Sequence, residues 1–258
     1  MTTQPSPSQE PEEEREPQEG GKYLTLLEHL RELRNRLLIS AVAVALATGA
    51  SFYFTGDIIE FLVEPAENKS DDFELIFTEP LGYIGSYFRV ALLGGLVLAM
   101  PILIYQVLRF VSPALTREEK RWVLPTVFGA SISFLLGTAF AFYVMMPPAI
   151  DFLFNFGGDL ATPRIRIGPY IDFVTRLIFL TGVVFEIPLV VMFMARIGVT
   201  SSRKLIGFWR LAIILAFVLA AIVTPTIDPV TQSLVAGPII TLYGLGIVLA
   251  RFVERPRP

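Results

Sequence analysis

Six long apolar runs, at residues 37–54, 90–108, 122–146, 173–194, 211–227 and 234–250, constrain this chain more than any other feature. Each has the roughly 17–25 residues that a helix needs to cross a bilayer. None alternates polar with apolar residues, and all are far longer than the ~10-residue strand of a membrane barrel. In a chain of 258 residues, 53% hydrophobic, the apolar excess lies in these runs and not evenly along the sequence. The expected fold is therefore an all-α membrane protein with six transmembrane helices. The last two runs are short: 211–227 would make a helix of about 26 Å, less than the ~30 Å hydrocarbon core.

Flanking cations orient the spans, because Lys and Arg collect in cytoplasmic segments. Lys22, Arg31, Arg34 and Arg36 precede the first run, and Arg109, Arg117, Lys120 and Arg121 separate the second from the third. Arg196, Arg203 and Lys204 separate the fourth from the fifth, while Arg251, Arg255 and Arg257 follow the last. The alternate loops carry only Lys69 and Arg89, then Arg164 and Arg166, then none. The alternation predicts both termini in the cytoplasm. Residues 1–21 are polar, rich in proline and acidic, unlike a cleavable secretory signal, and read as a disordered tail before a membrane domain at 22–258. The loop 56–88 is acidic and broken by Pro65 and Pro80, which predicts an external cap of short helices and turns.

Four polar features call for a reason. In the segment before the first run, Leu26, Leu30, Leu33 and Leu37 share one helical stripe, with His29, Glu32 and Arg36 together on another face. Thr25 and Glu28 form a capping-box pattern. Glu32 is either the i,i+4 partner of Arg36 or a carboxylate offered to a cationic ligand. After Pro113, Thr116 and Glu119 form a second capping box, so Glu119 is a cap partner or a second such carboxylate. Glu186 lies near the middle of the fourth run, where a charged side chain costs roughly 2.5–3.5 kcal/mol on insertion scales. Pro188 follows it, cannot donate to the Val184 carbonyl, and predicts a kink there. Glu186 is either an interhelical hydrogen-bonding group or a functional carboxylate. Asp228 lies in the last external turn, as an N-cap ahead of Pro229 at the first helical position, with Gln232 one turn on.

Other chemistries lack their residues. There is no phosphate-binding G-x-x-x-x-G-K-[ST] loop, and with no cysteine and one histidine the chain has few ligands for a metal. No cofactor, metal, catalytic site or nucleic-acid contact is expected. A secondary transporter using Glu186 as a proton or cation site competes as a reading. It would require polar groups facing Glu186 from the other spans, which are almost wholly apolar.

These residues resemble the TatC family, the large polytopic subunits of the twin-arginine protein translocase. The likeness runs from Lys22 to Val253 through five motifs in order. They are His29-Leu-x-Glu-Leu-Arg-x-Arg-Leu37, Pro101-x-x-x-Tyr-Gln106, Phe110-x-x-Pro-Ala-Leu-x-x-x-Glu119, Phe185-Glu-x-Pro188, and Thr224-Pro with Asp228 and Gln232. The resemblance implies a curved, glove-like bundle with short fifth and sixth helices. It also implies a receptor for twin-arginine signal peptides, part of a machine that exports folded proteins on the proton-motive force and is not an enzyme. By position, Glu32, Glu119 and Phe110 would form the signal-peptide site, and Glu186 would meet TatA- and TatB-type single-span subunits within the membrane. Asp228 and Gln232 would mark an extracytoplasmic turn site. Membrane lipid and further copies of the chain are the other partners implied. Glu118 departs from the histidine common at that position, and the acidic tail lies outside the family pattern.

Overall fold

The computed structural model describes residues 26–67, 76, 80–155, 166–224 and 229–253. The acidic tail, Thr25 and Asp228 lie outside them. The side chains of Glu118 and Glu119 also lie outside the description.

The first apolar run and the polar segment before it form one helix, α1 (Leu26–Phe52). Helix α2 (Thr55–Glu67) follows after a two-residue turn and buries Ile59, Leu62, Val63 and Ala66 on one face. Pro65 does not end α2, which continues to Glu67. Pro80 begins α3 (Pro80–Val111), and Pro113 lies in the 3-10 turn Ser112–Ala114 that ends it. The connection to the third run contains only α4 (Arg117–Lys120).

The third run is α5 (Val123–Phe140), a π-helical segment at Ala141–Met145, and α6 (Met146–Asn155) in nearly continuous sequence. The fourth is α7 (Ile167–Phe185) and α8 (Ile187–Arg196), separated at Glu186 as Pro188 predicts. Ser201 then caps α9 (Ser202–Gly207), its hydroxyl accepting from the Lys204 N–H.

The fifth helix, α10 (Trp209–Val223), has 15 residues. It stops four residues short of the end of its apolar run because Thr224 precedes Pro225, which disfavours helical backbone, and Thr224 is accordingly extended at φ −78°, ψ 132°. The sixth, α11 (Pro229–Val253), starts at Pro229 and has 25 residues, so it is not short. Thr231, Gln232 and Ser233 precede the apolar run and belong to the first turns of the helix. Among the described residues, five spans are long and apolar enough to cross a membrane, and α10 is a shorter apolar helix.

The core joins α2, α3, the π segment, α6 and α7 through Leu62, Val90, Met145, Met146, Ile171, Val174 and Leu177. Tyr170 donates its hydroxyl hydrogen to the Leu62 carbonyl at 2.8 Å, tying α7 to α2. A parallel bridge between Ile76 and Arg166, in which the Ile167 N–H donates to the Ile76 carbonyl at 3.1 Å, ties together the starts of α3 and α7. Helix α1 stands apart. Its span is almost entirely unburied and it packs chiefly along α3. The seam is close because Gly95 has no side chain: a Cβ there would come within 2.6 Å of the Thr48 backbone.

Candidate functional site

The start of α1 and the end of α3 bring three of the sequence motifs together. Glu32 and Arg36 are one helical turn apart, and Arg36 Nη2 meets Glu32 Oε1 at 3.0 Å. The other arm of the guanidinium, Nη1, donates to Oε1 of Gln106 on α3 at 3.2 Å. Gln106 is 8% exposed, so the fork is anchored in the body of the protein. Among the described residues nothing else hydrogen-bonds to Glu32, which leaves Oε2 available. Both Glu32 and Arg36 are about one-fifth exposed, enough for a ligand to reach them.

One turn beyond Gln106 on α3, Phe110 stacks on His29 of α1 with ring centroids 4.4 Å apart and planes at 22°. His29, Glu32 and Arg36 thus occupy one face of α1 against Gln106 and Phe110. Phe110 makes an aromatic floor beside a positioned carboxylate.

Glu119 is placed in α4 by its backbone alone. Its turn is held at both sides. Leu115, 6% exposed, is buried with Leu108, Val127 and Phe193. Trp122 lies under the Arg196 guanidinium, 4.4 Å from ring centroid to Cζ. This second anchor joins the α3–α5 turn to the end of α8, and Arg196 Nε is buried there with no hydrogen bond among the described residues.

Glu186 is remote from this cluster along the spans, at the junction of α7 and α8. Its Oε1 is buried and has no hydrogen-bond partner among the described residues. The helix break beside it is partly satisfied from α5, where the Ser133 hydroxyl donates to the Phe185 carbonyl at 2.8 Å. The two helices cross closely there: a Cβ on Gly137 would lie 2.8 Å from Phe185, and one on Gly182 would lie 2.7 Å from the Phe134 ring. Gln232 donates to the Phe217 carbonyl at 3.0 Å and so joins α11 to α10.

Sequence reasoning placed Glu32 against Arg36 but missed Gln106, the Trp122–Arg196 stack and Ser133. Gln106 stands in one of the quoted motifs, which was the available signal. The other two have none in the local pattern.

The model of the family described as Sec-independent protein translocase protein (TatC) matches residues 28–238. The chain is 36% identical over 236 residues to the Sec-independent protein translocase protein TatC of Aquifex aeolicus (strain VF5), covering 91% of this chain and 98% of that one. It is 36% identical over 232 residues to the TatC protein of Synechocystis sp. (strain ATCC 27184 / PCC 6803 / Kazusa), covering 90% of each chain. A crystal structure of a twin-arginine translocase receptor, TatC, superposes with a TM-score of 0.80 at 37% identity, covering 88% of this chain and all of that one. The helical architecture, the motifs in order and these likenesses agree, and the chain belongs to the TatC family of multi-pass membrane translocase proteins.

Proposed function

We propose that this chain is the signal-peptide receptor of a twin-arginine translocase in a prokaryotic cytoplasmic membrane, with six spans and both termini cytoplasmic. The flanking cations support that orientation, and α10 crosses if the bilayer thins locally around its ~22 Å length. Glu32 and Glu119 would bind the paired arginines of a signal peptide, and Phe110 would pack against the adjoining segment. The observation that carries this reading is the carboxylate of Glu32, held through Oε1 by Arg36, which Gln106 anchors in turn, with Oε2 left open beside the Phe110–His29 stack.

A guanidinium ligand suits such a site because it is planar and donates in a fixed fork, whereas lysine presents a point charge. Arg36 orients the carboxylate and also lowers its net charge, so a single arginine would bind weakly. Two consecutive arginines can engage Glu32 and Glu119 together. Glu186, with a buried oxygen lacking a partner, would meet a polar group on a TatA- or TatB-type span. Further copies of the chain would complete the assembly. Folded cargo would then cross on the proton-motive force, as the resemblance to the TatC family implies.

The test is binding of a labelled signal peptide to the full chain in detergent, with Arg-Arg and Lys-Lys versions compared. The Arg-Arg peptide should bind saturably, more tightly than the Lys-Lys peptide, and more weakly as salt rises. Equal affinities would remove guanidinium recognition and with it the assignment of these carboxylates.

A further inference from the structure

At the opposite end of the spans from the Glu32 cluster, α3 and α7 form a cleft of about 240 Å³ lined by Arg89, Asp172 and Arg176, then Leu92, Leu96 and Phe179. Asp172 Oδ2 accepts from Arg176 Nη2 at 2.8 Å, whereas Arg89 Nε is 3.8 Å from Oδ1, beyond hydrogen-bond reach. Among the described residues Arg89 makes no hydrogen bond. Two guanidiniums and one carboxylate leave a net charge of +1 (2 − 1), and the arginine side chains are 51% and 56% exposed.

The depth of the cleft matters. Arg89 and Arg176 each lie nine residues beyond the start of their helices, about 13 Å along the axis. Helix α3 (32 residues, about 48 Å) and the α7–α8 span Ile167–Arg196 (30 residues, about 45 Å) overhang a ~30 Å hydrocarbon core by several Å at each face, so both cations start a few Å inside the boundary. Arginine side chains reach back toward the interface from that depth. The bridge between Ile76 and Arg166 shows that both helices start at the same end, so the charged residues face one leaflet's headgroups. Leu92, Leu96 and Phe179 follow Arg89 and Arg176 deeper along the same helices. The cleft therefore has a cationic mouth at the interface and an apolar wall running toward the midplane, which is the polarity of one phospholipid molecule.

We propose that this cleft binds the phosphodiester headgroup of an anionic phospholipid, with Arg89 and Arg176 on the phosphate oxygens and an acyl chain along Leu92, Leu96 and Phe179. The ligand's single negative charge balances the site's single positive charge. Asp172 holds Arg176 in place and limits the charge. Basic pockets between membrane helices recognise lipid headgroups in this way.

The test is native mass spectrometry of the full chain extracted with phosphatidylglycerol or with diacylglycerol, which has the same chains and no phosphate. Phosphatidylglycerol should be retained and diacylglycerol lost. The paired substitution Arg89→Gln, Arg176→Gln should reduce retention roughly 30-fold, from about 1 kcal/mol for each arginine near a lipid surface. Asp172→Asn, which raises the net charge, should increase it. That opposite direction distinguishes a ligand site from general damage to the fold. Equal retention of both lipids, or of phosphatidylglycerol by the double variant, would overturn the proposal. Displacement of the lipid by millimolar inorganic phosphate would show a free-anion site and overturn the lipid assignment.

Discussion

Replacing Glu32 by glutamine separates its pairing with Arg36 from its proposed role in peptide binding, because the expected effects on folding and on binding differ in size. The pair with Arg36 joins groups one helical turn apart and about one-fifth exposed. Pairs of this kind contribute about 0.3–0.5 kcal/mol to folding. Glutamine also keeps an amide oxygen that can accept from Arg36 Nη2, so the loss should fall at or below that range. Gln106 continues to hold the other arm of the guanidinium. A bound peptide guanidinium, in contrast, loses a charge-assisted hydrogen bond, a contribution of about 1.5–3 kcal/mol. That corresponds to roughly 10- to 150-fold in affinity. Thermal unfolding in detergent should therefore hardly move, while titration with an Arg-Arg signal peptide shows the large loss. A clear drop in thermal stability with unchanged peptide affinity would refute the reasoning and leave Glu32 as an internal partner of Arg36.

Gly95→Leu should force α1 away from α3, since even a Cβ comes within 2.6 Å of the Thr48 backbone; overpacking of about 1–3 kcal/mol and weakened peptide binding should appear together in unfolding and titration experiments. Reporter fusions after Asp72 and Asp159 should read as external, and those after Thr116, Ser201 and Arg257 as cytoplasmic; a cytoplasmic signal after Asp72 would invert the orientation. Glu186→Gln keeps the shape and a hydrogen-bonding group, so cross-linking to single-span partners and export should largely survive, whereas Glu186→Leu should reduce both and leave signal-peptide binding intact. Loss of export in Glu186→Gln with cross-links preserved would favour proton or cation transfer at that residue.

The helices were legible because apolar run length decides what spans a membrane, and each of the six runs lies largely within one helix or two consecutive ones. Their ends were less legible. Hydropathy extended α10 into Thr224 and beyond, but backbone sterics before Pro225 stop it at Val223. Hydropathy also shortened α11, whose first turns contain Thr231, Gln232 and Ser233, polar residues that helical backbone tolerates at a membrane surface. The Glu32–Arg36 pair followed from i,i+4 spacing. Gln106 is 70 residues from Arg36, and no local pattern brings them together. The break at Glu186 followed from Pro188, yet the carbonyl expected to need a partner was that of Val184. The Ser133 hydroxyl instead goes to the Phe185 carbonyl, because the close crossing at Gly137 and Gly182 brings α5 to that point.

The two carboxylates proposed for function, Glu32 and Glu186, sit in mechanically different surroundings. Glu186 lies where α5, α7 and α8 meet, beside a glycine-mediated crossing with little room for adjustment. Such a position would present a fixed group to the proposed partner, since Gly182 one turn away packs against Phe134, which is fully buried. Glu32 lies on α1, whose span is almost unburied and whose main attachment is the seam with α3. Its orientation depends on a few polar and aromatic contacts across that seam: Arg36 with Gln106, and His29 with Phe110. A peptide engaging Glu32 on α1 and Glu119 on the α3–α5 turn would therefore add its binding energy to the seam and not to the core. Any ligand that binds the closed seam better than the open one stabilises it by mass action. Occupation of the receptor site should accordingly protect the amide hydrogens of α1 near residues 28–36 from exchange more than those of α7. Uniform protection across both helices would mean that α1 is as firmly embedded as the rest.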